Sequence, residues 1–228
     1  MQDKNSLDMS GLEELLNDST ANKITAGLVV FFLVFLGINT LDLVSNNDKV
    51  RIILDGDLEW TISFEEEIVT LSDSVIIGDG DTGIVNFMIE ESLLTEGYYI
   101  GGFSIQLTYG ETSGIPADPI DSVFATLVQN ELVAKWDDEN NTKSGSSTDG
   151  SAIDLYLRAY DGYDGSDKNM TGYNEVQVLE PWVVAGQGLG QLSLEVSVET
   201  NALPFTSDNE EEINIAVSII TFKPTAIN

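Results

Sequence analysis

Cysteine and histidine are both absent from the 228 residues. The chain alone can therefore build no disulfide, thiolate nucleophile, thiolate or imidazole zinc site, or Ser-His-Asp triad. Carboxylate chemistry, hard cations with oxygen ligands and Ser-Lys arrangements remain open. Positive charge is scarce as well: nine Lys plus Arg stand against 39 Asp plus Glu, a net charge of -30. A surface so one-sided repels nucleic acid phosphates and anionic lipid headgroups, which sets aside DNA, RNA and peripheral membrane roles.

Hydrophobic residues make up 42% of the chain, so the acid is worn by a folded object and not by a disordered tail. Residues 45–228 hold 33 acids and seven bases, scattered through many loops. That distribution fits solubility in concentrated or marine salt, where screening shortens self-repulsion.

Charge is missing altogether from Ile24 to Leu41, ITAGLVVFFLVFLGINTL. As a helix these residues span about 27 Å, close to the hydrocarbon thickness of a bilayer. LVVFFLVFL has no polar face, which argues against a buried core helix. A cleaved secretory signal needs a basic start and a small-x-small site after the apolar run. Here residues 1–23 carry five acids and two bases, and the exit reads LDLVSNNDK.

The segment is thus expected to be a retained signal anchor. The expected layout is a short cytoplasmic head at 1–23, a transmembrane helix at 24–44 and an extracytoplasmic domain at 45–228. Lys4 and Lys23 on one flank balance Lys49 and Arg51 on the other, so the positive-inside rule is nearly tied. Two sequons in polar loops, Asn140 (NNT) and Asn169 (NMT), place the large domain outside. In the head, Ser10 and Glu13 fit a capping box ahead of Leu15 and Leu16, a helix too short to be stable alone.

An apolar helix followed by a β-rich head also resembles the layout of archaeal and bacterial pilin-like subunits. The resemblance implies a short cut leader and a helix that packs against its own copies as a filament stem. Ala26-Gly27 would be the cut, with Lys23 as the sole base before it and a mature chain beginning near Leu28.

Beyond Asn47 the pattern alternates with period two. In QLSLEVSVET, Leu192, Leu194, Val196 and Val198 point one way and Gln191, Ser193, Glu195, Ser197 and Glu199 the other, a strand with one wet face. GGFSIQLTYG and IDLYLRAY repeat the pattern. Weaker versions occur in KVRIIL, LEWTISF, GIVNFMIE, VFATLVQ, ELVAKW, EVQVLE and INIAVSIITF, with LDGDL as an Asp-Gly hairpin turn between the first two. INIAVSIITF sets Ile219 beside Ile220, which predicts burial on both faces near its end.

About ten strands with no useful helical run between them predict an all-β antiparallel sandwich, Ig-like or jelly-roll in style. WDDENNTKSGSSTDG, residues 136–150, reads as one long surface loop, and GQGLG, residues 186–190, as a hairpin.

The best constellation for chemistry is YDGYDGSDKNMTG, residues 160–172. Asp161, Asp164 and Asp167 recur every three residues with Gly162 and Gly165 between them, so the backbone can curl several oxygens toward one calcium ion. The ordering of an EF-hand is missing, and Asp-Gly is also ordinary turn chemistry. GDGDTG and Asp137-Asp138 are weaker versions. Tyr156, Tyr160, Tyr163, Tyr173 and Trp182 could form a sugar platform or simply pack. Glycosidase carboxylate pairs carry no weight, because 39 acids supply pairs at any spacing.

Together these features predict a single-pass cell-membrane protein with a binding, adhesion or structural role and no catalysis, with a pilin-like filament subunit as the alternative reading and a surface carboxylate glycosidase as the third. Its expected partners are a surface protein, a glycan or further copies of itself.

Overall fold

The computed structural model describes residues 19–45, 58–110, 120–201 and 210–228. The capping box at Ser10, the KVRIIL segment and the Asp55-Gly56 turn lie outside the described residues. The chain forms two units, Met1–Asp57 and Leu58–Asn228.

The described part of the first unit is one α-helix, α1, Ser19–Ser45. Within it Asn22–Asp42 has a mean hydropathy of 2.3 and no buried residue, so it is long and apolar enough to cross a membrane. Asn39 and Thr40, the polar side chains within the late part of the uncharged run, are satisfied by the helix itself. Asn39 Nδ2 donates to Phe35 O at 2.7 Å and Thr40 Oγ1 to Leu36 O at 2.8 Å.

The second unit is an antiparallel β-sandwich. Its strands are β1 (Glu59–Gly78), β2 (Thr82–Ile89), β3 (Tyr99–Tyr109), β4 (Ser122–Val128), β5 (Ser144–Ser147), β6 (Ile153–Arg158), β7 (Lys168–Thr171), β8 (Gly190–Glu199) and β9 (Glu210–Ile227). One sheet has the order β6-β3-β9-β1-β7 and the other β2-β8-β4-β5. The pairing is nested: β4 with β5, β3 with β6, β2 with β8, β1 with β9. Successive pairs of this long folded ribbon lie in opposite sheets. That is the jelly-roll form of the sandwich, with β7 added at the β1 edge.

Alternation drives the packing. Leu192, Leu194, Val196 and Val198 of β8 face Phe103, Ile105 and Leu107 of β3 and Ile213, Ile215, Val217 and Ile219 of β9 in one buried core. Ile219 and Ile220 then divide as their adjacency predicts: Ile219 lies in that core, whereas Ile220 packs against a second cluster on the outer face of the five-stranded sheet.

Residues 160–188 build that second cluster over β1 and β9, joining the sheet itself only through β7. They carry β7, a short helix α2 (Glu175–Leu179) and a 3-10 turn at Glu180–Trp182. Tyr160, Tyr163, Val178 and Trp182 are buried there against Ile62 and Phe222. Gly101 in β3 is required beneath it, because a Cβ at that position would lie 2.2 Å from the Tyr163 ring.

Several expected elements differ. EVQVLE is helix α2, not strand: Asn174 accepts from Gln177 N at 3.0 Å and Gln177 Oε1 accepts from Tyr173 N at 2.8 Å, a reciprocal cap that outweighs the alternation. ELVAKW is an irregular segment whose Leu132 and Trp136 are buried. Trp136 Nε1 donates to Leu132 O at 3.2 Å, which curls the segment where a strand would extend it.

Residues 136–150 are not one loop, since they contain β5 and a bridge between Thr142 and Tyr156. GQGLG is not a hairpin. Gly186 and Gly188 take positive φ, and the turn is laced to the preceding segment by Gly188 N–H to Val133 O at 2.7 Å and Val133 N–H to Leu189 O at 3.0 Å. Gly188 approaches Ile100 so closely that a Cβ would meet it at 2.6 Å.

Candidate functional site

The 160–172 segment turns twice at Gly162 and Gly165, with φ of 69° and 77°, values that side chains larger than glycine's resist. Tyr163, between the two turns, points inward. Its ring stacks on Phe222 at 4.3 Å and its hydroxyl donates to the Glu66 carboxylate. Burial, reinforced by that carboxylate, pushes the Tyr163 phenol well above its ordinary range.

The acidic residues point outward, and Asp161 and Asp164 each engage a different lysine. Asp161 pairs with Lys135 Nζ at 3.4 Å across to the β4–β5 connection. Asp164 accepts Lys168 Nζ at 2.6 Å, Ser166 N at 3.0 Å and Ser166 Oγ at 2.5 Å. Lys168 first, then Ser166, hold its carboxyl well below the usual carboxylate range. Asp167 is exposed. Among the described residues no group of three or more acidic side chains is arranged to hold a metal ion. The lysines that take these carboxylates lie 26 residues before Asp161 and four after Asp164, and only the second spacing is legible in sequence.

The aromatic residues separate by role. Tyr160, Tyr163 and Trp182 are buried, Tyr156 is half-buried, and Tyr173 is exposed at 45%. Tyr160 stacks on Trp182 at 6.2 Å; its hydroxyl donates to Pro181 O at 2.9 Å and accepts Val184 N at 2.8 Å. Trp182 Nε1 reaches Met170 Sδ at 3.3 Å. These rings are the glue of the cap on the outer face, and their polar tips are already engaged.

Two adjoining surface clefts flank the Lys135–Asp161 pair. One, of about 360 Å³, is lined by Gln129, Lys135, Trp136, Asp137, Asp138 and Asp161. The other, of about 250 Å³, is lined by Lys135, Tyr160, Asp161, Pro181, Val184 and Gln187. Beneath the first, Arg158 Nη1 pairs with Asp138 Oδ2 at 2.9 Å, a half-buried ion pair that joins β6 to the β4–β5 connection. The Asn140 backbone N–H, its side chain and then Arg158 hold the Asp138 carboxyl below its ordinary value.

Asp149 is lowered too, by Ser151 and then Ser147. Asp138, Asp149 and Asp164 are thus all held as carboxylates. The arrangement can offer oxygens and one ammonium to a partner. The two sequon asparagines, Asn140 and Asn169, are both exposed.

A third cleft, of about 420 Å³, lies on the open part of the five-stranded sheet's outer face. Its floor is short and mostly neutral: Ser72, Ser74, Gln106, Thr108, Asn214 and Ala216. A fourth, of about 500 Å³, lies where β1 begins and β9 ends, beside Trp60, Met170 and Ile227.

No protein-family model and no curated protein matches the chain. Solved structures similar to it include the decameric capsid protein of BFDV, at 7% identity over 70% of this chain and 99% of that one, with a TM-score of 0.32. The 60-mer of that BFDV capsid protein gives 7% identity, 72% and 96% coverage, and a TM-score of 0.35. Sacbrood virus of honeybee gives 10% identity, 78% and 81% coverage, and a TM-score of 0.35. Likeness at this level carries no functional argument, and the jelly-roll assignment stands on the strand order.

Proposed function

We propose that this chain is a single-pass membrane protein. In this reading Ile24 to Leu41 crosses the bilayer, residues 1–23 form a cytoplasmic head, and the acidic jelly roll at 45–228 stands outside the cell. There it serves a binding, adhesion or structural role and no catalytic one. The observation that carries this reading is helix α1, in which twelve large apolar side chains from Ile24 to Leu41 are all more than half exposed. Left in water they would forfeit roughly 1.5–3 kcal/mol each, so the helix needs lipid or other copies of itself around it.

The acidic surface is read as adaptation to salt, since the paired carboxylates Asp138, Asp161 and Asp164 are already engaged by the chain's own cations. Calcium at Asp161, Asp164 and Asp167 is the competing use of that acid. The pilin-like reading uses the same helix as a stem.

Membrane fractionation with carbonate washing, followed by protease treatment of intact cells, separates these readings. A full-length chain retained in membranes, with its domain digested from outside, is the expected result. A mature chain beginning near Leu28 would move the conclusion to the filament, and a carbonate-soluble, protease-protected domain would overturn both.

A further inference from the structure

The longest unpaired strand edge among the described residues belongs to β1. β9 holds one side of it from Thr61 to Gly78, but β7 holds the other only over Glu59–Ile62. From Phe64 to Ile77 that second side carries no strand. Gly172 N–H donates to Leu58 O on the β7 side, whereas Glu67 O accepts Thr221 Oγ1 on the β9 side. Antiparallel pairing alternates these directions. Phe64, Glu66, Ile68, Thr70, Ser72 and Ile76 therefore turn a row of backbone N–H and C=O groups toward the open side.

Ser74 N–H on the same row is capped locally by Asp73 Oδ1 at 2.8 Å. Ile68 and Ile76 are 66% and 63% exposed beside the row. Glu65, Glu66 and Glu67 make its first third strongly acidic.

We infer that this edge takes residues 49–54 of a second copy, KVRIIL, as an added strand. Three observations select that occupant. An acidic edge rejects most of this chain, yet 49–54 carries Lys49 and Arg51, two of the seven basic residues after residue 44, alternating with Val50 and Ile52. Strand addition satisfies the open backbone row, and charge complementarity supplies selectivity.

Reach then excludes the same copy. Leu54 lies four residues before Leu58, about 14 Å of extended chain. Phe64 lies about 20 Å along β1 from Leu58, so the segment cannot lie alongside 64–77 of its own chain. The part of β1 that a tight turn at Asp55-Gly56 could use is already held by β7. This inference does not depend on the anchored reading, because an edge open to a second copy is available whether α1 sits in lipid or in a stem.

The absence of cysteine makes a direct test available in the full-length chain in detergent. One population carries Ile52→Cys or Ile53→Cys, one donor for each strand face; the other carries Ile68→Cys, Thr70→Cys or Ser72→Cys, with Asp154→Cys on β6 as control. Mixed under oxidation, donors should cross-link to at least one β1 acceptor about tenfold more than to position 154, as expected of a held neighbour over a random collision. Lys49→Glu with Arg51→Glu should abolish the excess. Cross-linking no stronger than at 154, donors linked only to each other through helix association, or an excess indifferent to the charge reversal would each overturn the inference.

Discussion

Replacing Phe222 by alanine tests whether the outer cap is an integral second core. Phe222 is fully buried and meets four rings: Tyr163 stacked at 4.3 Å, Tyr160 edge-on at 5.1 Å, Phe64 at 5.3 Å and Tyr99 at 6.0 Å. A buried Phe→Ala change costs about 3–5 kcal/mol in transfer and cavity terms. Aromatic pairs add roughly 0.5–1.5 kcal/mol each, but four pairs sharing one ring are not additive.

The upper half of that range, about 4–5 kcal/mol, is therefore expected, or a melting midpoint lower by roughly 8–20 °C for a domain of this size. The three tryptophans locate the damage. Trp60 and Trp182 report the cap, whereas Trp136 lies in the main core. In Phe222→Ala a Trp60 and Trp182 fluorescence transition should precede loss of far-UV β signal, with Trp136 following the latter. A cost below about 1 kcal/mol with coincident transitions would refute the packing argument.

Asp164 supplies the pH dependence. Its carboxyl is lowered in the folded chain, so its contribution is present above the unfolded pKa, near 3.9, and is lost as pH falls from there through the folded value. Asp164→Asn should flatten the part of the stability profile below about pH 4 and leave the slope above pH 5 unchanged; a changed slope at neutral pH would contradict this. Thermal melts with EDTA and with added calcium at matched ionic strength should rise with ionic strength alone. A calcium-specific rise, lost in Asp161→Asn or Asp167→Asn, would instead establish a cation site. Gly101→Ala should displace Tyr163, costing about 1–3 kcal/mol by overpacking, and Tyr163→Leu in the same chain should recover part of the loss.

Local alternation carried most of the fold. β2, β3, β4, β6, β8 and β9 read directly from period-two patterns because each has one face in the main core. β1 was legible only in its first part, LEWTISF. Further on, EEEIVTLSDS mixes charge with apolar residues, because those residues lie on an edge that a single neighbour stabilises.

β7, four residues of KNMT, is defined by its pairing to β1 more than 100 residues away and has no local signature. For EVQVLE the alternation was real but misleading, since Asn174 and Gln177 cap it as a helix. The same contrast holds at the Asp loop. The Asp-Gly turns were visible in the chain, but Lys135, which holds Asp161 from the β4–β5 connection, could be found only once the sandwich brought those loops together.

Nested pairing also gives the anchored reading a mechanical consequence. The residues that lead from α1 enter the sandwich at β1, beside the end of β9, where Thr61 pairs with Ile227. The two strands then run together over 18 register pairs to Gly78 and Glu210. Their hydrogen bonds lie perpendicular to the strands, so a pull along β1 loads the ladder together, whereas a pull that separates adjacent ends opens it bond by bond.

Asn201 stands at the far end, its backbone N–H donating to Asp121 at 2.7 Å while Thr200 N–H donates to Asp79 at 2.9 Å. Pulling between residues 58 and 201 should therefore need several times the force of pulling between residues 58 and 228, measured on single full-length molecules with handles at those positions. Equal forces in the two geometries would show that the β1–β9 ladder does not carry the load, and the mechanical consequence drawn from the anchored reading would fall with it.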